Sequence, residues 1–451
     1  MPSNVSARAA VVKGQPTGRR REQAIRRGVH KIKTMQQEKK RMVSHSVPQR
    51  STAERTADAL RRRSHDAMQG ATSAIRDRRL PGGRTAKIVA ATAVALAATA
   101  LVVDWQARRA ERRHPPKGRF VEVDGVRLHY IEAGEGDPVV LLHGNGSMLD
   151  DPLLSIFGAL AEQHRVIAFD RPGFGWSDRP HNREWTPEAQ ATLIRNALRS
   201  LEIERPVLYG HSFGAPVVMS FALMHPQDTR GIVAASGYYY PHFRADSIVA
   251  WSATLPVIGP ILRNTVLPVE GAAFGSLAVK ALFDPAPVPE AYAVFPASLA
   301  LRPSQIRASG EDGRTLRAWA TRTCRRYSEV RVPVVIVAGT EDRIVDPHAH
   351  SARLHDQIAG SRLHLWPDTG HMVHHTRAAE VIDAIDEVFG MADTWAADHD
   401  AARLGNTAAP VGAPDAIEAS ETRTDAPSVV DAESGGEARR RAENVAGPAP
   451  V

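Results

Sequence analysis

Apolar residues follow different patterns in different parts of this chain, and each pattern predicts a different element. Residues 120–131 alternate between apolar and polar around an Asp-Gly pair, which predicts a β-hairpin. Short continuous apolar runs predict buried strands at 138–142, 165–169, 206–209, 231–235, 333–338 and 362–366. Because helical segments separate these runs, we expect an α/β fold with a mostly parallel central sheet flanked by helices.

Residues 88–103 form an uncharged run rich in Ala, Val and Leu. As a helix it would span about 24 Å, against about 30 Å of bilayer hydrocarbon. Flanking basic side chains can snorkel and lengthen the span: Arg84, Lys87, Arg108, Arg109, Arg112 and Arg113. We predict a single-pass transmembrane helix at 88–105 in a bacterial-type inner membrane. A helix packed on the rest of the protein is the alternative, and the membrane side stays open because basic residues flank both ends.

Charge is distributed unevenly along the chain. Residues 1–87 hold 22 Lys and Arg against 6 Asp and Glu, a net charge of +16, whereas residues 88–451 hold 35 against 44, a net charge of −9. Four apolar residues of this basic arm recur at helical spacing and indicate an amphipathic helix: Ile25, Val29, Ile32 and Met35. Binding of anionic lipid headgroups, a solvated disordered tail and nucleic-acid contact are the open interpretations of the arm. The remainder carries no basic cleft pattern, so we expect no nucleic-acid substrate.

Two further segments depart from the strand–helix alternation. Between Ser236 and Arg331 the chain consists of Pro- and Ala-rich helical pieces, which predict a helical cap at about 237–331, inserted before the strand at 333–338. Past Gly390 the composition turns to Ala, Pro, Asp, Glu, Gly and Ser, and we predict a disordered tail at 391–451. A single cysteine, Cys324, excludes an internal disulfide.

The segment Gly210-His211-Ser212-Phe213-Gly214 joins a predicted strand to an apolar helical segment. A serine at the tip of such a tight turn stands clear of the sheet, and the two glycines allow backbone and helix to pass closely. Ser212 is therefore a candidate nucleophile.

A serine hydroxyl needs a base, and that base needs an orienting carboxylate. Asp342 follows the strand at 333–338 and His371 follows the strand at 362–366, so both belong to loops at the same edge of a parallel sheet. We predict Asp342 as the acid and His371 as the base. Rivals in the same loops remain open: Glu341 and Asp346 for the acid, and His374 and His375 for the base.

Acyl transfer also needs hydrogen-bond donors for the oxygen that becomes negative. The turn at 143–146 follows the strand at 138–142, which predicts the backbone N–H groups of Asn145 and Phe213 as the oxyanion donors. Neither donor depends on its own side chain.

Large apolar residues of the predicted cap are candidates for lining a substrate pocket, with ordinary packing as the alternative: Trp251, Leu255, Ile258, Leu262, Phe274 and Phe283. We expect Tyr238, Tyr239 and Tyr240 to form pocket wall or packing. The chain has 19 histidines, but their spacing matches no standard zinc pattern. We therefore predict no metal and no cofactor.

These motifs together resemble the α/β-hydrolase fold superfamily, and specifically its serine hydrolases with a helical cap. The resemblance covers about residues 118–390 and rests, in the family's order, on 143–146, 170–177, 210–214, 339–342 and 370–371. It implies hydrolysis of a carboxylic ester or related acyl bond in a small or medium, apolar substrate, through an acyl-enzyme. Relatives that open epoxides or displace halide carry an aspartate where this chain has Ser212. Carbon–carbon or amide hydrolysis stays open, as does a non-catalytic ligand-binding or scaffold protein on the same fold.

Overall fold

The computed structural model describes residues 84–242 and 251–407. The amphipathic helix predicted at 25–35 and the end of the predicted tail lie outside the described residues. By its contacts the chain divides into the units Met1–Asp400 and Ala401–Val451, and the sheet and site described below belong to the first.

Within the described residues, eight strands form one central sheet. They are β1 (Arg119–Val123), β2 (Val126–Ala133), β3 (Pro138–Leu142), β4 (Arg165–Phe169), β5 (Val207–His211), β6 (Gly231–Ala235), β7 (Val334–Gly339) and β8 (Arg362–Trp366). Their order across the sheet is β1-β2-β4-β3-β5-β6-β7-β8. Strand β2 is antiparallel to both neighbours, and all pairs from β4 to β8 are parallel. The predicted α/β fold with a mostly parallel sheet is confirmed.

Apolar residues on both sides of each strand explain why the inner strands are buried. Every residue of β5, β6 and β7 is buried. Successive side chains alternate between two core layers, with Val140 and Leu142 in one and Val139 and Leu141 in the other. Helices cover both faces, as continuous apolar strands require.

The predicted hairpin at the start of the sheet is also confirmed. Val123 of β1 pairs with Val126 of β2. Between them Asp124 and Gly125 have φ angles of 52° and 71°. A two-residue turn needs this left-handed backbone at both central positions, which explains the Asp-Gly pair.

The helices lie before, between and after the strands. They are α1 (Arg84–Arg113), α2 (Asp150–Leu153), α3 (Phe157–Leu160), α4 (Pro187–Ser200), α5 (Gly214–Met224), α6 (Ile258–Asn264), α7 (Val266–Phe283), α8 (Ala297–Ala300), α9 (Pro303–Thr323), α10 (Arg353–Gln357), α11 (Val373–Thr376) and α12 (Ala378–Thr407). Helices α6 to α9 lie between β6 and β7, where the cap is predicted. We call residues 237–331 the cap.

The predicted transmembrane segment at 88–105 falls inside the longer helix α1, which also includes the flanking basic residues. The last part of α1 packs on the protein, because Ala110 shares a buried cluster with Met148 and with Leu299 of α8. Within the described residues, two helices, α1 and α7, are long and apolar enough to cross a membrane.

The disordered tail predicted for 391–451 does not begin at residue 391. Helix α12 continues past Gly390 to Thr407. Alanine recurs through 391–402 and is the strongest helix former.

The start of α5 packs closely against the end of β3. A Cβ atom added at Gly214 would overlap the carbonyl oxygen of Leu142, which is backbone and cannot rotate away. Only glycine fits where strand, turn and helix meet.

We expect Gly214→Ala to lower the free energy of unfolding by about 1–3 kcal/mol, the usual cost of overpacking. Gly390→Ala is the matched control, because its added Cβ meets nothing and alanine favours a helix by up to about 1 kcal/mol. Thermal unfolding of the full chain measures both. Equal stability of Gly214→Ala and wild type would contradict this account of the turn.

Candidate active site

Ser212 lies on a strained turn at the end of β5. Its φ angle is 52°, which side-chain-bearing residues rarely adopt. The turn is held by the Ser212 N–H, which donates to the carbonyl of Ala235 on β6 at 2.9 Å. On the other side a Cβ at Gly210 would overlap the backbone of Gly214. The sequence around Ser212 therefore allows this backbone and few others.

The two residues predicted as acid and base are hydrogen-bonded to each other. His371 Nδ1 lies 2.8 Å from Asp342 Oδ2, and both side chains are buried. Asp342 Oδ1 accepts the N–H groups of Ile344 at 2.8 Å and Val345 at 2.9 Å, which orients the carboxylate. Because Nδ1 donates to a carboxylate, Nε2 of His371 is left to accept a proton.

Ser212 and His371 line one cavity of about 970 Å³, roofed by the cap. His211, which precedes Ser212, donates from Nε2 to the carbonyl oxygen of His371 at 2.9 Å. The loop after β8 is thereby fixed to the end of β5. The structure thus brings the predicted nucleophile and base to a common space.

The rival acids and bases are placed differently. Glu341 is exposed, and Asp346 Oδ1 accepts the backbone N–H groups of His348 and Ala349. His374 and His375 both face Asp151. Among these rivals, none shares the hydrogen bond that joins Asp342 to His371.

The turn at 143–146 lies beside Ser212. A Cβ at Gly144 would be 3.0 Å from Ser212 Cβ, which is closer than ordinary van der Waals contact, so the absence of a side chain eases this close approach. Among the described residues, neither the Asn145 N–H nor the Phe213 N–H donates to a backbone carbonyl. N–H groups without such partners beside Ser212 are suited to receive a substrate oxygen.

Arg171 fixes that turn from behind and is fully buried. It donates from Nε to the His143 carbonyl at 2.9 Å and from Nη2 to the Gly144 carbonyl at 3.0 Å. Its Nη1 pairs with Asp312 of α9 at 2.6 Å. Its guanidinium carbon also lies 4.7 Å from the ring centroid of Phe213. Sequence reasoning missed this role, although Arg171 belongs to the 170–177 motif.

The residues expected to line the pocket differ in their positions. Trp251 lines the cavity, as do Tyr238 and Tyr240. Leu255 and Phe274 do not line it and are 47% and 60% exposed. Leu255 lies in the turn before α6, and Phe274 lies on the exposed side of α7. Phe283 is fully buried and packs edge-on against Tyr292, beside the cavity rather than on its wall.

The two remaining cap candidates also do not line the cavity. Ile258 is exposed and Leu262 is half-buried. Tyr239 is fully buried, and its backbone carbonyl accepts the Tyr327 hydroxyl at 2.6 Å, so it belongs to the packing.

A buried cluster of imidazoles adjoins His371, and sequence reasoning missed the carboxylate at its centre. His375 Nε2 lies 2.8 Å from Asp151 Oδ1, and His374 Nε2 lies 3.2 Å from Oδ2 as an ion-pair contact. Burial opposes ionisation of Asp151, but the imidazoles of His374 and His375 hold the pKa of this carboxyl well below its usual value. Burial, with His374 and His371 nearby, holds the pKa of His211 well below its usual value.

Asp151, His211 and His374 could hold a metal ion, because their possible ligand atoms all lie within 4.8 Å of one another. Two nitrogens and one carboxylate suit zinc or iron(II). Both Asp151 oxygens already face imidazole nitrogens within the cluster. The absence of a metal and of a cofactor therefore stays a prediction.

Comparison with known proteins places this fold in a family. Residues 137–378 match the model of the alpha/beta hydrolase fold. An uncharacterized protein of Mycobacterium tuberculosis is 31% identical over 317 residues, which cover 64% of this chain and 85% of that protein. A 2-hydroxymuconate semialdehyde hydrolase of a Pseudomonas species is 26% identical over 64% of this chain and 99% of its own length.

A solved structure gives the same fold. The enol-lactonase of Burkholderia xenovorans matches with a TM-score of 0.51 at 20% identity, over 60% of this chain and 100% of that one. The chain belongs to the alpha/beta hydrolase fold family. Within that class the protein is a hydrolase.

We expect Asp312→Ala to lower the free energy of unfolding by about 3–5 kcal/mol, because it leaves the buried Arg171 guanidinium without its carboxylate. Chemical denaturation of the full chain measures the change. Glu184→Ala is the control, since it removes an exposed ion pair to Arg314 of the same helix α9 and costs at most about 1 kcal/mol. Similar losses in both variants would show that the buried pair has no special weight.

Proposed function

We propose that the protein is a serine hydrolase that cleaves a carboxylic ester, or a related acyl bond, of an apolar substrate. The observation that carries this proposal is the hydrogen bond between His371 Nδ1 and Asp342 Oδ2 at the cavity that Ser212 also lines. A nucleophile, a base and an orienting acid in one site are the requirements of acyl transfer by serine.

The mechanism follows from this geometry. His371 Nε2 accepts the Ser212 hydroxyl proton while Ser212 Oγ attacks the carbonyl carbon, and the backbone N–H groups of Asn145 and Phe213 donate to the resulting oxyanion. The imidazolium then protonates the leaving alcohol as the carbon–oxygen bond breaks. His371 next deprotonates a water molecule, which attacks the acyl-enzyme and releases the acid and free Ser212. Asp342 stabilises the imidazolium throughout.

Carbon–carbon hydrolysis is the second candidate. It is favoured by the 26% identity to a 2-hydroxymuconate semialdehyde hydrolase along nearly that protein's whole length. The same three side chains can serve it, and amide cleavage as well, so the fold does not choose among them. A binding or scaffold protein without catalysis is the third, and it predicts an unreactive Ser212.

We further propose that α1 anchors the protein in a bacterial-type inner membrane. Its apolar stretch is exposed rather than buried, with Ile88 62% exposed and Leu101 56% exposed. The basic arm before it would add attraction to anionic lipid headgroups. Basic residues at both ends of the span leave the orientation open.

We expect the full chain to hydrolyse members of a p-nitrophenyl ester series from C2 to C16 and Ser212→Ala to lose about 10⁴-fold or more of that activity. The chain-length optimum then measures the acyl pocket. A fluorophosphonate should label wild type and leave Ser212→Ala unlabelled, because only an activated serine reacts quickly.

The outcomes separate the three candidates. Labelling of Ser212 without ester hydrolysis would replace the ester proposal by carbon–carbon or amide cleavage. A folded protein that neither labels nor hydrolyses would leave the binding protein. Activity retained in Ser212→Ala would remove Ser212 as nucleophile.

We expect Asp342→Asn to lower kcat by about 10²- to 10⁴-fold, because an amide no longer stabilises the imidazolium or selects the His371 tautomer. Glu341→Gln and Asp346→Asn are matched controls from the same loop and should retain kcat close to wild type. A large loss in either control, with Asp342→Asn active, would reassign the acid.

A further inference from the structure

Exposed apolar side chains are concentrated on one part of the molecule. Among the described residues, Phe120 and Met224 are the large exposed apolar side chains that lie outside α1 and the cap. We define the cap patch as Val257, Ile258, Ile261, Val269, Phe274 and Leu277, which are 46% to 78% exposed. Such a concentration on a protein surface indicates contact with a membrane or another apolar partner.

Helix α7 separates this patch from the cavity. Gly271, Gly275 and Ser276 line the cavity, together with Val279, Lys280 and Leu282 near the helix end. Phe274 and Leu277 are instead each 60% exposed. Glu270 and Lys280 are its charged residues. A helix apolar all round is normally buried, yet α7 has only 11% of its apolar window buried. One helix thickness therefore lies between the cavity and an apolar exterior.

Contacts between α1 and the cap connect the patch to the proposed membrane anchor. Helix α1 contacts α6, which carries Ile258 and Ile261, and also contacts α8. Glu111 of α1 lies 3.2 Å from Arg302 in the cap. The cap patch is therefore continuous with the helix that we propose as the membrane anchor.

The same part of α1 has the residues typical of a bilayer surface. Trp105 is 52% exposed, and the Arg109 guanidinium lies 5.0 Å from its ring centroid. Tryptophan and basic side chains are enriched where a spanning helix leaves the hydrocarbon. Ala110 and Glu111, which contact the cap, lie less than two helical turns after Trp105. With α1 as the proposed membrane anchor, these contacts would hold the cap at the height of the lipid headgroups.

We propose that the cap patch lies in the surface of the lipid bilayer that holds α1, and that the substrates are esters of membrane lipids whose acyl chains pass from the bilayer past α7 into the cavity. The choice of substrate rests on the proposed hydrolase function, whereas the contact with lipid does not. A single lipid bilayer would cover both the exposed apolar face of α7 and the exposed apolar stretch of α1.

The lipid contact is tested with an environment-sensitive dye on the full chain in phosphatidylcholine–phosphatidylglycerol vesicles. In a Cys324→Ser background, Leu277→Cys places the dye on the patch, and Met224→Cys places it on an exposed apolar position away from the cap. We expect spin-labelled lipid to quench the dye at 277 several-fold more than at 224. Equal quenching at both positions, or shielding of 277 that depends on protein concentration and not on lipid, would overturn the proposal in favour of a second copy or another segment of the chain.

The substrate route is tested with the triple variant Ile261→Ser, Val269→Ser, Leu277→Ser, none of which lines the cavity. We expect hydrolysis of a long-chain ester dissolved in the vesicle bilayer to fall at least about tenfold, because apolar area is lost from the bilayer contact. Hydrolysis of water-soluble p-nitrophenyl butyrate should stay at wild-type level. The control is Phe120→Ser with Met224→Ser, which should change neither rate.

An unchanged rate on the bilayer ester, or an equal loss on both esters, would overturn the route. Failure of the hydrolase proposal gives a different result: no ester is cleaved by wild type, while the dye at 277 is still quenched by lipid.

Discussion

The buried guanidinium of Arg171 is the interaction on which the rest of the site depends. It holds the carbonyls of His143 and Gly144, lies against the ring of Phe213, and pairs with Asp312 of the cap. A charge in an apolar interior is tolerated only when nearly all its donors are used. Arg171 therefore forces the 143–146 turn, the residue after Ser212 and helix α9 into one fixed arrangement. The cap is consequently part of the site's geometry, rather than a cover that sits over a finished site.

The buried histidines near Ser212 face different carboxylates. His371 is hydrogen-bonded to Asp342, whereas His374 and His375 face Asp151. The ring of His211 lies 4.8 Å from that of His371, and its depressed pKa keeps it neutral at neutral pH. A proton placed on His371 therefore meets no adjacent cation on His211. Asp342, which is hydrogen-bonded to His371 Nδ1, supplies the carboxylate that stabilises the imidazolium a general base must become.

Local patterns were sufficient to predict most of the sheet, the hairpin turn and the tight turn at Ser212. Each depends on a short segment, such as the apolar run of β5 or the Asp124-Gly125 pair. The pairing of Arg171 with Asp312 joins residues far apart in the chain, and so does that of Asp151 with His375. Neither partner carries a local signal for the other. The same limit explains Phe274, since the face that a cap helix presents to the cavity is set by its neighbours.

Helix α7 shows why composition alone could not place the pocket wall. Its apolar residues are compatible with a core helix, a pocket helix and a membrane helix, because each of these avoids charge. In the structure Gly271 and Gly275 line the cavity along most of α7 and Val279 and Leu282 line it near the helix end, whereas Phe274 and Leu277 are exposed. The exposure of Phe274 and Leu277 departs from a soluble cap, which buries most of its large apolar side chains. Small residues on the inner face leave volume for an acyl chain, while large ones outside gain from lipid. The exposed face of α7 is thus consistent with contact with lipid, and its inner face is consistent with an apolar substrate in the cavity.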